Sequence, residues 1–239
     1  MSFQGIFTFL LAYAIFLLFA YKADPRFSLK YKKTPSFYYL MWISTLETIV
    51  LILPLIFFNL FLGRDIVTAF SLDRLLLAQR EILLGLLAGV LLFLACLPAN
   101  ALISVLHRKF FPLYKSGRED EVQKLVFASL PKSQRLSFTL LLVTSLKAAI
   151  FEEIIFRGCL LNDLLSLTFP IVAITVQAVL FFIPHLYQGV FNAILPLIGG
   201  FMFGLIFFLT GSLTVVIIAH FIGDLIGLSI QTAMMRRKK

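Results

Sequence analysis

Hydrophobic positions in this chain come in long unbroken runs, at residues 5–21, 37–62, 82–106, 136–161, 169–184, 190–209 and 212–232, separated by polar or basic stretches. Each run is about 17–26 residues long, the length that a helix rising ~1.5 Å per residue needs to cross ~30 Å of hydrocarbon. The runs are solidly apolar and do not alternate as the strands of a membrane barrel must, so the pattern predicts helices. The expected fold is all-α, a polytopic membrane helical bundle of about seven transmembrane helices. The longest polar connection, 107–135, carries Val122, Leu125, Val126 and Leu130 at helical spacing. It predicts an amphipathic helix on the cytoplasmic face, ending near Pro131.

Composition supports this reading. Of 239 residues 60% are hydrophobic and 14% charged, and the mean hydropathy of +0.99 lies far outside the range of a soluble domain. A net charge of +9 could point to nucleic acid, but the placement of the bases argues for topology instead. Lys22, Arg26, Lys30, Lys32 and Lys33 follow the first run, Arg108 to Arg135 fill the connection after the third, and Arg236 to Lys239 form the tail. With seven crossings these groups share one side, which the positive-inside rule makes cytoplasmic. The expectation is a cell-membrane protein with its N-terminus outside and its C-terminus inside, in contact with lipid and not with nucleic acid. The first run lacks a positive flank and a small-residue cleavage site, so it reads as a retained helix. Cys96 and Cys159 fall within apolar runs and imply no disulfide framework. The chain divides into a three-span region with its amphipathic connection (1–135), a four-span core (136–232) and a basic tail (233–239).

Against this background the intramembrane polar residues stand out, because a carboxylate at mid-bilayer costs roughly 2.5–3.5 kcal/mol on insertion scales. Glu152 and Glu153 are adjacent, and Arg157 lies four residues beyond the second, on its helical face. Glu152 points about 100° away, so one arginine does not serve both acids. The expected division is a structural Glu153–Arg157 pair, with Glu152 facing a wetted cavity as an available base. His185 closes the fifth run, and His220 and Asp224 share a face of the last. Together these groups suit activation of a water and stabilisation of an oxyanion. They are also a donor set compatible with catalytic zinc, although no metal or other cofactor is assigned. The chain has no HExxH, and no Ser-His or Cys-His nucleophile pair offers itself. Glu47 and Lys147, isolated in the second and fourth runs, are expected to need partners and to be candidates for each other. Gly199, Gly200 and Gly204 are expected to permit close helix approach, and His107 to be interfacial.

The order EExxxR (Glu152, Glu153, Arg157), FxxxH (Phe181, His185) and HxxxD (His220, Asp224) resembles the three motifs of the CPBP family, the CAAX prenyl protease and bacteriocin-processing (Abi) group of intramembrane glutamate proteases. The resemblance covers about residues 136–228. It implies an endopeptidase that cuts near the C-terminus of a membrane-associated or prenylated-like protein or peptide. In it Glu152 and His185 would activate the water, His220 and Asp224 would stabilise the oxyanion, and Glu153, Arg157 and Phe181 would support the site. CAAX-processing members resemble HxxxN at the third motif, whereas an ionised Asp224 can only accept hydrogen bonds. Asp224 would then be protonated, orient His220 or bind a metal, and the departure points away from a CAAX substrate. The alternative is a non-catalytic immunity or scaffold protein on the same bundle. One geometric difficulty follows from the runs themselves: His185 ends its helix near the cytoplasmic face, while Glu152 lies deep in the fourth.

Overall fold

The computed structural model describes residues 2–23, 36–110, 125 and 128–237. Seven long helices account for most of them: α1 (Ser2–Ala23), α2 (Phe37–Phe61), α3 (Gln79–Phe110), α4 (Gln134–Glu153), α5 (Pro170–Phe182), α6 (Val190–Thr210) and α7 (Leu213–Arg237). No strand occurs among the described residues. α1, α2, α3, α6, α7, and α5 with the turn that follows it, are long and apolar enough to cross a membrane, which makes this a multi-pass membrane protein. α4 carries Lys147, Glu152 and Glu153 and is not among those six. Its charges raise the cost of contact with lipid, and its continuation is enclosed by other helices instead. Of the amphipathic helix expected over 122–130, Val122 and Val126 lie outside the described residues, while Leu125 and residues 128–129 are helical.

The helix ends follow local chemistry, because backbone groups in hydrocarbon find no water. Ser36 caps α2 by accepting from the Tyr39 amide at 3.2 Å, and Ser133 caps α4 by accepting from that of Leu136 at 3.4 Å. Pro170 occupies the first turn of α5, where its missing N–H costs nothing. Gly211, at φ +63°, ends α6 in the left-handed conformation and donates its N–H to the Phe207 carbonyl at 2.8 Å. Large apolar side chains such as Phe57, Leu87 and Phe169 remain exposed on the outside, as a surface facing acyl chains requires.

α3 packs along α7, α1 along α2, α5 along α6, and α4 against α7. Gly85 and Gly89 bring α3 against Ile218 and Ala219 of α7, leaving no room for a Cβ. At the centre α4 runs on without a break as a π-helix, Ile154–Leu161, and a last turn, Asn162–Leu165. All of residues 155–161 are buried. A widened turn of this kind often marks a functional site. Phe156 of the π segment packs edge-on against Phe9 and Tyr13 of α1 and against Phe181 of α5, with centroids 5.0–6.3 Å apart, so α1 is part of the same core. Two polar contacts tie the connection after α2 to this centre. Arg64 binds Asp163 through two hydrogen bonds of 3.0 and 2.7 Å, and the Ser71 hydroxyl donates to the Gly158 carbonyl at 2.8 Å.

Gly158 is where the π segment touches that connection most closely, since a Cβ there would lie 2.2 Å from the Phe70 carbonyl oxygen. A backbone atom has no rotamer by which to withdraw. Gly158→Ala is therefore expected to cost at least the upper end of the ~1–3 kcal/mol typical of overpacking. The measurement is thermal unfolding in detergent, where a variant melting with the wild type would show that this contact yields freely.

Candidate active site

The site begins with a proline. Pro184 has no N–H to continue α5, so the carbonyls of the preceding turn need other donors. The Tyr13 hydroxyl of α1 donates to the Leu180 carbonyl. The His185 ring takes the next one, its Nδ1 lying 2.8 Å from the Phe181 carbonyl. A carbonyl only accepts, so Nδ1 carries the proton and Nε2 is the basic nitrogen. The chain tightens into a 3₁₀ turn, Ile183–Gln188, which holds His185 at the edge of a cavity of about 140 Å³. Glu152 lines the same cavity. Despite the difference in depth expected from the run boundaries, His185 and Glu152 line one cavity, with α5 ending at Phe182 and the turn carrying His185 to its edge.

On the other side of Glu152 stands His220 of α7. Its Nδ1 lies 2.7 Å from Glu153 Oε1, and the same oxygen accepts from Arg157 Nη1 at 3.0 Å. Glu153 and Arg157 are fully buried. With Glu153 ionised against Arg157, Nδ1 must be the donor, which turns Nε2 outward. That nitrogen sits 3.4 Å from Asp224 Oδ2 and 4.0 Å from Glu152 Oε2. A hydrogen bond between Nε2 and Asp224 needs one proton, on the ring or on the acid. The side chains of Glu152 and Asp224 are 34% and 39% exposed, so both are reachable, whereas His220 is 8% exposed.

Arg157 is held from three sides. Its Nη2 donates to the Gly200 carbonyl at 2.9 Å, and its guanidinium lies 4.8 Å from the Phe181 ring centroid and 5.5 Å from that of Phe203. Gly200 brings α6 close enough for the first of these, since a Cβ there would meet Ala178 and Phe181 at 3.1–3.5 Å.

All seven residues singled out from the three motifs therefore fall in one region, although not in one cluster of contacts. Phe181 separates the two histidines, with its centroid 4.9 Å from His185 and 6.3 Å from His220. Among the described residues no group of three or more His, Cys, Asp or Glu is disposed to hold a metal ion.

Two features of this site had no signal in the chain, and a third had a signal for its cost in a membrane but none for its place. Phe203 stacks on the His220 ring at 5.0 Å and 19°, but nothing distinguishes it among 27 phenylalanines. Tyr13 reaches the broken end of α5 from the first helix. Glu47, visible as an intramembrane acid, lines the cavity that holds Glu152 and His185. Lys147 donates to the Ser44 hydroxyl oxygen at 2.7 Å, one turn before Glu47 on α2.

The family description Type II CAAX prenyl endopeptidase Rce1-like matches residues 134–226. Over this region, which is less than half of the chain, the protein is similar to the CAAX protease (CPBP) family. No curated protein and no solved structure matches it. The CPBP region begins at α4 and ends two residues past Asp224, so it takes in every motif residue and leaves out α1, α2 and α3. The cavity wall contributed by α2 thus lies outside the part of the chain that the family describes.

Proposed function

We propose that this protein is an intramembrane endopeptidase that hydrolyses a peptide bond by a glutamate-activated water. Glu152, with His185 Nε2 across the cavity, removes a proton from the water as it attacks the substrate carbonyl. His220, an imidazolium with Asp224 as its counter-charge, redirects its single Nε2–H from Asp224 Oδ2 to the oxyanion as that forms. The amine then leaves with the proton that Glu152 has taken up, which returns the acid to its starting state. Glu153 and Arg157 keep His220 in the orientation this requires, and Phe181 and Phe203 pack the group from either side. Asp224 in place of asparagine is accommodated because it acts through His220 and need not itself donate.

One observation carries this reading: His220 is anchored at Nδ1 by a buried ion pair while its Nε2 faces both Glu152 and Asp224. The substrate is a membrane-associated protein or peptide cut near its C-terminus and reached from the cytoplasmic side, with the N-terminus of the enzyme outside. The test compares protein termini in membranes containing wild type or Glu152→Ala. New termini present only with the wild type are expected, and identical sets from a folded variant would refute the assignment. No step uses a metal, so EDTA and 1,10-phenanthroline should leave the cleavage rate within about twofold of the untreated enzyme. A loss restored by added zinc would count against the water-activating role of Glu152 acting without metal.

A further inference from the structure

The break at Pro184 leaves neighbouring carbonyls at the end of α5 in need of donors. The residue four along from Leu180 is the proline itself, which has no N–H, and the chain then tightens out of the α-helix. Two side chains take over. The His185 ring caps the Phe181 carbonyl, which also fixes where its Nε2 points, and the Tyr13 hydroxyl caps that of Leu180. A buried carbonyl without a donor is costly, and in hydrocarbon no water replaces the one it loses. The two acceptors are adjacent in the chain. Without the hydroxyl, the Leu180 carbonyl would compete for the donor that holds the His185 ring on Phe181.

Tyr13 has little freedom to move. It is 4% exposed, stacks on Phe9 with centroids 5.5 Å apart, and meets Phe156 edge-on at 6.3 Å. Phe156 in turn meets Phe181 edge-on at 5.0 Å, and Phe181 lies 4.9 Å from His185. Phe16, about one turn further along α1, lines the cavity itself. The phenol therefore reaches its acceptor from a fixed direction, beside the cavity that His185 faces.

We propose that Tyr13 is a positioning residue for His185. Its hydroxyl replaces the N–H that Pro184 lacks, keeps the Leu180 carbonyl from drawing on the His185 ring, and so holds Nε2 toward the water that Glu152 activates. The inference rests on the peptidase reading and deepens it. It gives α1, which lies outside residues 134–226, a part in the chemistry.

The test uses the full-length protein in detergent with isotope-labelled histidine nitrogens. The chain has three histidines, so the His185 signals are assigned by comparison with His185→Gln. Tyr13→Phe removes the hydroxyl and keeps the ring. The expectation is that the His185 ring-nitrogen shifts move while those of His107 and His220 stay. For a substrate identified from membrane termini, kcat should fall about tenfold or more with KM within about twofold of the wild type. Pro184→Ala gives residue 184 an N–H for the Leu180 carbonyl. In that background Tyr13→Phe should lower kcat by no more than about twofold and leave the His185 shifts in place, and the shifts carry the comparison if Pro184→Ala is itself inactive. An unchanged His185 signal or kcat in Tyr13→Phe would overturn the proposal. Movement of all three histidines together, or an equal effect in both backgrounds, would do the same, because it would make Tyr13 a packing residue. Wild-type turnover by Tyr13→Phe alongside cleavage that depends on Glu152 strikes only the role of Tyr13. If no cleavage depends on Glu152, the peptidase reading fails and this one falls with it.

Discussion

Replacing Glu152 with glutamine is expected to leave a folded protein whose turnover is reduced by roughly 10²–10⁴-fold, the range by which a positioned general base contributes. Glutamine keeps the shape of the side chain and its hydrogen-bonding capacity but takes up no proton. The loss should fall on kcat with KM nearly unchanged, since Glu152 acts on the water and the substrate is held by the cavity walls. Stability should change little, because the side chain is 34% exposed and sits 4.0 Å from His220, too far for a direct hydrogen bond. The measurement is steady-state cleavage of a substrate identified from membrane termini, alongside thermal unfolding in detergent. A variant with wild-type kcat would remove Glu152 from the chemistry.

Arg157→Met is expected to show the largest loss of stability, about 3–5 kcal/mol, the usual cost of leaving one member of a buried ion pair alone. Both members of this pair are fully buried, and Glu153 Oε1 would keep only His220 as a partner. Adding Glu153→Gln should return most of that stability, because a neutral amide can still accept from His220 Nδ1 and no buried charge is left unpaired. Activity should remain low in the double variant, since the carboxylate that holds the His220 imidazolium is gone. Unfolding measurements on the two single variants and the double one form a complete cycle. If the double variant were as unstable as the summed singles, the pair would not be the unit described here.

The two results test different layers of the molecule, and the layers differ in how far the chain announces them. Membrane class, helical secondary structure and the positions of most spans follow from the hydrophobic runs, because partition into hydrocarbon depends on local composition. The Glu153–Arg157 pair was also legible, since four residues on a helix define a common face. The separation of Glu152 from that pair follows from the same repeat. His220 bridging to Glu153 was not legible, because it joins α7 to α4 across 67 positions in the chain. Neither was the π segment: its residues look like any apolar helix, and only their enclosure by neighbouring helices is distinctive. Glu47 could be recognised as costly in a membrane, but the direction it faces depends on how α2 is rotated against α1 and α4.

By itself, then, the order of residues determined that this is a helical membrane protein with three polar motifs in its C-terminal half, since hydrophobic length and helical repeat are properties of one segment at a time. Tertiary structure decided that those motifs meet. Pro184 lies in the turn that ends α5 and leaves His185 on the cavity that Glu152 also lines, and Gly200 admits α6 close enough to hold Arg157. It also decided that Tyr13 and Glu47 belong to the same region, because the depth and rotation of one helix against another are set by side-chain packing between segments, which no periodicity along the chain encodes.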